Sequence, residues 1–224
     1  MTTLLITGTD TGVGKTWVGR ALGHALAAAG RRVVAIKPVE TGCADATALH
    51  EDGALLAAAT GQAEPRAALY RFPSPLPPAL GADAAGETID LDAMLLRLEA
   101  LSAGADVVLV EGVGGLLAPM TWEWTVVDLA RALGASALVV AQDRFGTINH
   151  TLLTLGALEL AGLEVTGVVL TGPETPDAST GTNAAAIVRL AGIDRIVTMP
   201  RLADPAAAGR EVQPIIEWIR DPSA

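Results

Sequence analysis

The chain has 224 residues, half of them hydrophobic and only 3% aromatic, so a substantial core is available and alanine, leucine and valine must fill it. A net charge of −10 argues against nucleic acid as a partner, since that ligand wants a basic face, and any anionic ligand must be drawn by a local focus of lysine and main-chain N–H groups. The single cysteine, Cys43, excludes an internal disulfide, no basic segment precedes the first apolar run, and no apolar run reaches the roughly 18 residues of a membrane span, so a cytoplasmic protein with no membrane partner is expected.

The first predicted strand, residues 3–7, runs into GTDTGVGKT (8–16), and a helix is predicted over 15–29. Strand, glycine-rich turn and helix is the setting of a phosphate-binding loop. The common spacing G-x-x-x-x-G-K-[ST] would need a glycine at position 9, which is Thr9; the glycine stands one place early, at Gly8. The loop is therefore read as a variant. Its N–H groups and the helix N-terminus suit an anion, Lys15 offers charge to the outer phosphates, and Thr16 offers a hydroxyl to Mg²⁺. A bare glycine turn with an exposed lysine is the plainer alternative, and Gly8, Gly12, Gly14, Lys15 and Thr16 together weigh against it.

The second predicted strand, 32–37, ends in AIKPVETG (35–42). Lys37 falls at the carboxyl edge of the sheet, beside the phosphate loop; Pro38 halts the ladder and Thr41-Gly42 continues as a polar loop. Cys43 is read as a packed thiol. The helix predicted over 52–59 opens with Glu51 and Asp52, either of which is a metal ligand or a plain helix cap on the residues alone. Proline-rich breaks at 73–78 and 173–176 are read as surface loops. After a helix over 91–103, the strand 106–111 ends in VVLVEGVGG (107–115), where Glu111 closes an apolar run and glycines allow backbone to approach a ligand. A helix over 126–133 and a strand over 135–141 lead into QDRFGTINH (142–150) and a helix over 149–161; His150 is read as structural. A strand over 165–171, a helix over 183–190, a strand over 195–199 and a helix over 211–220 complete the chain. This β-α repetition predicts one α/β domain over residues 1–224, a doubly wound, mostly parallel sheet flanked by helices, of P-loop NTPase type, with ligands at the carboxyl ends of the strands.

Partitioning and septum-site ATPases place a second lysine in K-G-G-x-G-K-T where this chain has Asp10. GTDTGVGKT instead closely resembles the G-T-x-T-x-V-G-K-T loop of the dethiobiotin synthetase family. The family's K-P-V-x-[ST]-G matches residues 37–42, its E-G-A-G-G matches 111–115 with Val113 for alanine, and its L-G-x-[IL]-N-H resembles 145–150 with Phe145 for leucine. SPLPPALGADAAG (74–86) is similar to a proline-containing loop on its substrate side. The resemblance covers most of the chain and is strongest over 8–16, 37–42 and 111–115.

The resemblance implies an ATP-dependent cyclo-ligase that acts on 7,8-diaminononanoate, CO₂ and ATP with Mg²⁺. It implies catalytic roles for Lys37, Lys15 and Thr11. ATP would be held by Gly12, Val13, Gly14, Lys15, Thr16 and Trp17, by Asp52, and by Glu111, Gly112, Val113 and Gly114. Thr171, Gly172, Pro200, Arg201 and Leu202 would lie near its base. Thr16, Asp52 and Glu111 would ligate the metal, alignment on LLAAATG selecting Asp52 over Glu51. Substrate would meet Thr41, Pro78, Ala79 and Gly115, and its carboxylate the backbone of Gly146, Thr147, Ile148 and Asn149 across the interface of a homodimer. The family often reads adenine with an asparagine where this chain has Thr171, which lacks an amide's paired donor and acceptor, so other nucleoside triphosphates are expected to serve. Two rivals remain: amide-forming corrin synthases, which need a glutamine-hydrolysing domain and a nucleophilic cysteine that Cys43 is not placed to be, and partitioning-type nucleotide switches, against which Asp10 argues.

Overall fold

The computed structural model describes residues 1–43 and 49–220. In chain order the elements are β1 (Thr2–Gly8), α1 (Lys15–Ala28), β2 (Val33–Ile36), β3 (Val39–Thr41), α2 (Asp52–Thr60), β4 (Tyr70–Phe72), α3 (Pro78–Ala85), α4 (Leu91–Ser102), β5 (Val107–Glu111), α5 (Val126–Ala132), β6 (Ser136–Gln142), α6 (Thr147–Leu160), β7 (Val165–Thr171), α7 (Asn183–Ala191), β8 (Ile196–Met199) and α8 (Gly209–Arg220). Six strands form one sheet in the order β2-β5-β1-β6-β7-β8, and every pairing in it is parallel.

Both faces of this sheet are covered, which is why its inner strands read as mostly apolar runs. Alternation along β1 shows the division. Leu4 and Ile6 pack with Val18 and Leu22 of α1, Leu56 of α2 and Ile215 of α8. Leu5 packs on the other face with Leu98 of α4 and Leu129 of α5. Farther along that face, Val139 and Val168 meet Leu158 of α6 and Ile187 of α7. The strands β5, β1, β6 and β7 all point their carboxyl ends at one edge, and Glu111, Gly8, Gln142 and Thr171 stand there.

Three differences from the sequence reading lie near the site. Thr41 does not continue a loop after Pro38: β3 pairs in parallel with β4, and Val39, Glu40 and Thr41 lie opposite Tyr70, Arg71 and Phe72. The proline-rich stretch before residue 79 is only partly loop, because Pro78 opens α3, a position where its missing N–H costs nothing. The helix after β6 begins at Thr147, two residues earlier than expected.

Candidate active site

Gly8 explains the shifted loop. A Cβ there would lie 2.8 Å from Val13 Cγ2 and 3.2 Å from Lys15 Cδ, so the Lys15 stem passes through the space a side chain would fill. Gly14, at the helix entry, has φ +99°, a left-handed conformation open to glycine. The Lys15 ammonium folds back to donate to the Asp10 carbonyl at 2.9 Å. It is buried, and burial together with the neighbouring Lys37 charge lowers it to about 8.

Lys37 emerges directly after β2 and reaches across to β5. Its ammonium donates to Glu111 Oε1 at 2.6 Å, to Asp52 Oδ2 at 2.9 Å and to the Gly112 carbonyl at 3.3 Å. Burial alone would lower it, but the Glu111 and Asp52 carboxylates outweigh burial and hold it above the usual lysine range. Burial pushes Glu111 up against the pull of Lys37. Burial also works to raise Asp52, but the Lys37 charge and the Thr16 hydroxyl prevail and lower it.

The Thr16 hydroxyl touches both acids, 2.7 Å from Asp52 Oδ1 and 2.9 Å from Glu111 Oε1. Three hard oxygens on α1, α2 and β5 thus converge at one point, a donor set suited to Mg²⁺, which takes one or two carboxylates and leaves positions for phosphate and water. The two acids at the start of α2 turn different ways. Asp52 faces Thr16 and Lys37, whereas Glu51 turns to Arg71, which donates to it at 2.7 and 2.6 Å.

Glu40 was not singled out by sequence. Its carboxylate accepts from the backbone N–H of Asp52 at 2.5 Å and of Gly53 at 3.0 Å, capping α2 from the neighbouring strand β3. The signal was its place inside KPVETG, between Lys37 and Thr41. Glu40, Cys43 and Glu51 bring ligand atoms within 4.8 Å of one another. Glu40 is committed to the helix and Glu51 to Arg71, and burial beside Glu40 and Glu51 pushes the Cys43 thiol up to about 11, so this group is structural.

Two adjoining pockets lie at the sheet edge. One, of about 430 Å³, brings together Thr11, Lys15, Thr16, Lys37, Thr41, Asp52, Glu111, Val113 and Gly114, with Arg20 at its wall. The other, of about 480 Å³, is lined by Val13, Gln142, Thr171, Gly172, Pro200, Arg201 and Leu202. Gly12, Gly14 and Trp17 line both. Gly115 packs behind the loop, its Cα side facing the Gly8 and Thr9 carbonyls. The Thr171 hydroxyl donates to the Val13 carbonyl at 2.7 Å, so its proton is not free for a base.

The remaining substrate-side residues line neither pocket. Pro78 and Ala79 are buried at the start of α3, where the Ala79 N–H donates to the Pro119 carbonyl. Gly146, with φ +92°, precedes Thr147, Ile148 and Asn149 in the first turn of α6. Asp177 ties down the approach to that turn by accepting from the Phe145 N–H at 2.7 Å.

A family model described as an AAA domain matches residues 2–208. The chain is 43% identical over 217 residues to the ATP-dependent dethiobiotin synthetase BioD of Anaeromyxobacter dehalogenans (strain 2CP-C), covering 95% of this chain and 96% of that one. The chain belongs to the dethiobiotin synthetase family. The dethiobiotin synthetase of Aquifex aeolicus is 39% identical over 201 residues, 90% of each chain. Like these ATP-dependent ligases of biotin biosynthesis, it is an enzyme that uses ATP on small-molecule substrates. The fold is shared more widely than the family: the MinC:MinD cell division complex of Aquifex aeolicus aligns with TM-score 0.59 at 18% identity over 98% of this chain and 94% of that one. Among the described residues, no helix is long and apolar enough to cross a membrane.

Proposed function

We propose that this dethiobiotin synthetase family member converts 7,8-diaminononanoate, CO₂ and ATP to dethiobiotin, ADP and phosphate as a single domain over residues 1–224 in the cytoplasm. One amine captures CO₂ as a carbamate. A carbamate oxygen then attacks the γ-phosphorus and releases ADP, giving a carbamic-phosphoric anhydride. The second amine attacks the anhydride carbonyl, and phosphate leaves as the ureido ring closes. No side-chain nucleophile takes part.

The observation that carries this reading is the meeting of two buried ammonium groups, Lys15 and Lys37, with the loop of residues 8–16 at one pocket. Catalysis is then positioning and charge stabilisation. Lys15 and the loop amides face the outer phosphates, with Thr11 beside them, and Lys37 sits between the carbamate and the γ-phosphate. Thr16, Asp52 and Glu111 would hold Mg²⁺, which when bound offsets charge on the β- and γ-phosphate oxygens. Gly112, Val113 and Gly114 flank the phosphates; Thr171, Gly172, Pro200, Arg201 and Leu202 surround the base.

Thr41, Gly115, Pro78 and Ala79 serve the diamine chain. The first-turn amides of α6, those of Gly146, Ile148 and Asn149 with the Thr147 N–H turned to the Arg144 carbonyl, suit a carboxylate. They lie outside both pockets, which supports a two-fold dimer whose sites draw this turn from the partner subunit. The test is coupling. Phosphate release from Mg·ATP should need both diamine and bicarbonate; steady ATP hydrolysis without diamine would instead mark a nucleotide switch.

A further inference from the structure

Trp17 follows Thr16 directly and stands where the phosphate pocket opens into the second pocket, lining both. Its polar end is committed: the indole Nε1–H donates to the Leu202 carbonyl at 3.1 Å. That bond ties the ring to the loop after β8. The ring also packs against the core cluster under α1 and α8, so it is held as a rigid wall.

Several of the groups around it that could read the edge of a base are spent, although Gln142 and Arg201 also line the pocket. The Thr171 hydroxyl donates to Val13, the Gly172 N–H to the Met199 carbonyl at 2.8 Å, and the Leu202 N–H to the Pro200 carbonyl at 3.0 Å. Beside these the pocket offers an aromatic surface one residue beyond the phosphate-binding Lys15-Thr16 pair. Every base has a π face, and an aromatic ring so placed binds a base without reading its edge.

We propose that the Trp17 indole is the platform on which the nucleotide base stacks, and that this stack is the main hold on the base. The proposal rests on the ATP-site reading above. Its consequence is an affinity determinant shared by purine and pyrimidine triphosphates.

The test is calorimetric binding of Mg·ATP, Mg·CTP and inorganic tripolyphosphate to the parent protein, Trp17→Phe and Trp17→Leu. Trp17→Phe should stay within a few-fold of the parent for all three. Trp17→Leu keeps an apolar wall without a π face, and should weaken both nucleotides by roughly five- to a hundred-fold, as expected for one lost base–aromatic stack. Its tripolyphosphate affinity should be unchanged, which also shows that the variant is folded. Unchanged nucleotide affinity in Trp17→Leu, a loss for ATP with none for CTP, or a tripolyphosphate loss in step with ATP would each overturn the stack. A parent protein that binds tripolyphosphate and nucleotide equally well leaves the phosphate site standing and removes the base platform. A parent that binds neither overturns the ATP-site reading itself.

Discussion

The Lys37 ammonium lies 2.6 Å from Glu111 Oε1 with only 4% and 1% of the two side chains exposed. A buried pair of this kind is unequal in what its halves do when separated. Removing the lysine leaves a carboxylate in the core, with Glu111 Oε2 already lacking a hydrogen-bond partner among the described residues. Lys37→Ala should therefore lose about 3–5 kcal/mol of stability at neutral pH. It should also lose turnover by roughly a hundred- to a thousand-fold, as expected for a group on transferring charge. Adding Glu111→Gln should restore much of the stability and none of the turnover. Thermal melts of the parent, single and double variants check this; a single variant as stable as the parent would show that the pair carries no such weight.

Glu40 acts on Asp52 through the backbone. Without its carboxylate the N–H groups of Asp52 and Gly53 lose their acceptor, and the first turn of α2 loosens where the Asp52 side chain must be held. Glu40→Ala should raise the Mg²⁺ concentration needed for half-maximal turnover about ten- to a hundred-fold, in the range seen when a ligand's supporting partner is removed. Glu40→Gln, which keeps an acceptor oxygen, should fall between. A magnesium titration that superimposes on the parent's would refute this role.

Asp177 gives a pH signature. The Phe145 N–H, with the Ser179 hydroxyl and N–H, holds its carboxyl at about 2, below the ordinary aspartate value of 3.8. A depressed acid contributes stability that is fully present above its unfolded value and is lost as pH falls through the folded one. The stability gap between the parent and Asp177→Asn should be widest above pH 5 and should close between about pH 4 and 2. Denaturant titrations across that range decide it; a gap independent of pH would mean the charge does not hold the loop.

Much of this was legible in the sequence, and the rest was hidden for identifiable reasons. The inner strands of the main sheet were readable because they are largely apolar runs buried on both faces, and the loop at 8–16 because strand, glycines, lysine and threonine occur in order. β3 and β4 were not, since three residues carry no period and their pairing joins Val39 to Tyr70 across 31 positions. The prolines ahead of α3 spoke for a loop, although proline is at home in a helix's first turn. Sequence offered both Glu51 and Asp52 as acids; only the position of Arg71 on β4 shows which one turns away. Glu40 was hidden for a similar reason, because its partners are main-chain N–H groups of another element.

The dimer proposal makes a prediction about mixtures. Gly146 has φ +92°, so Gly146→Val would strain the entry to α6 in a way that leaves Lys37 untouched. Neither Lys37→Ala nor Gly146→Val should be active alone. If each site takes Lys37 from one chain and the α6 turn from the other, a heterodimer of the two holds one site with both lesions and one with neither. Mixing should recover activity in proportion to the heterodimer seen by native mass spectrometry. Confirmed heterodimer without recovered activity would place each site within a single chain.

The most direct measurement follows carbon. Protein, Mg·ATP, ¹³C-bicarbonate and 7,8-diaminononanoate are combined, and the products are resolved by mass. The account predicts a cyclic urea that carries the label at its ring carbonyl, formed one for one with ADP and phosphate. ADP and phosphate released with no labelled cyclic urea would contradict it.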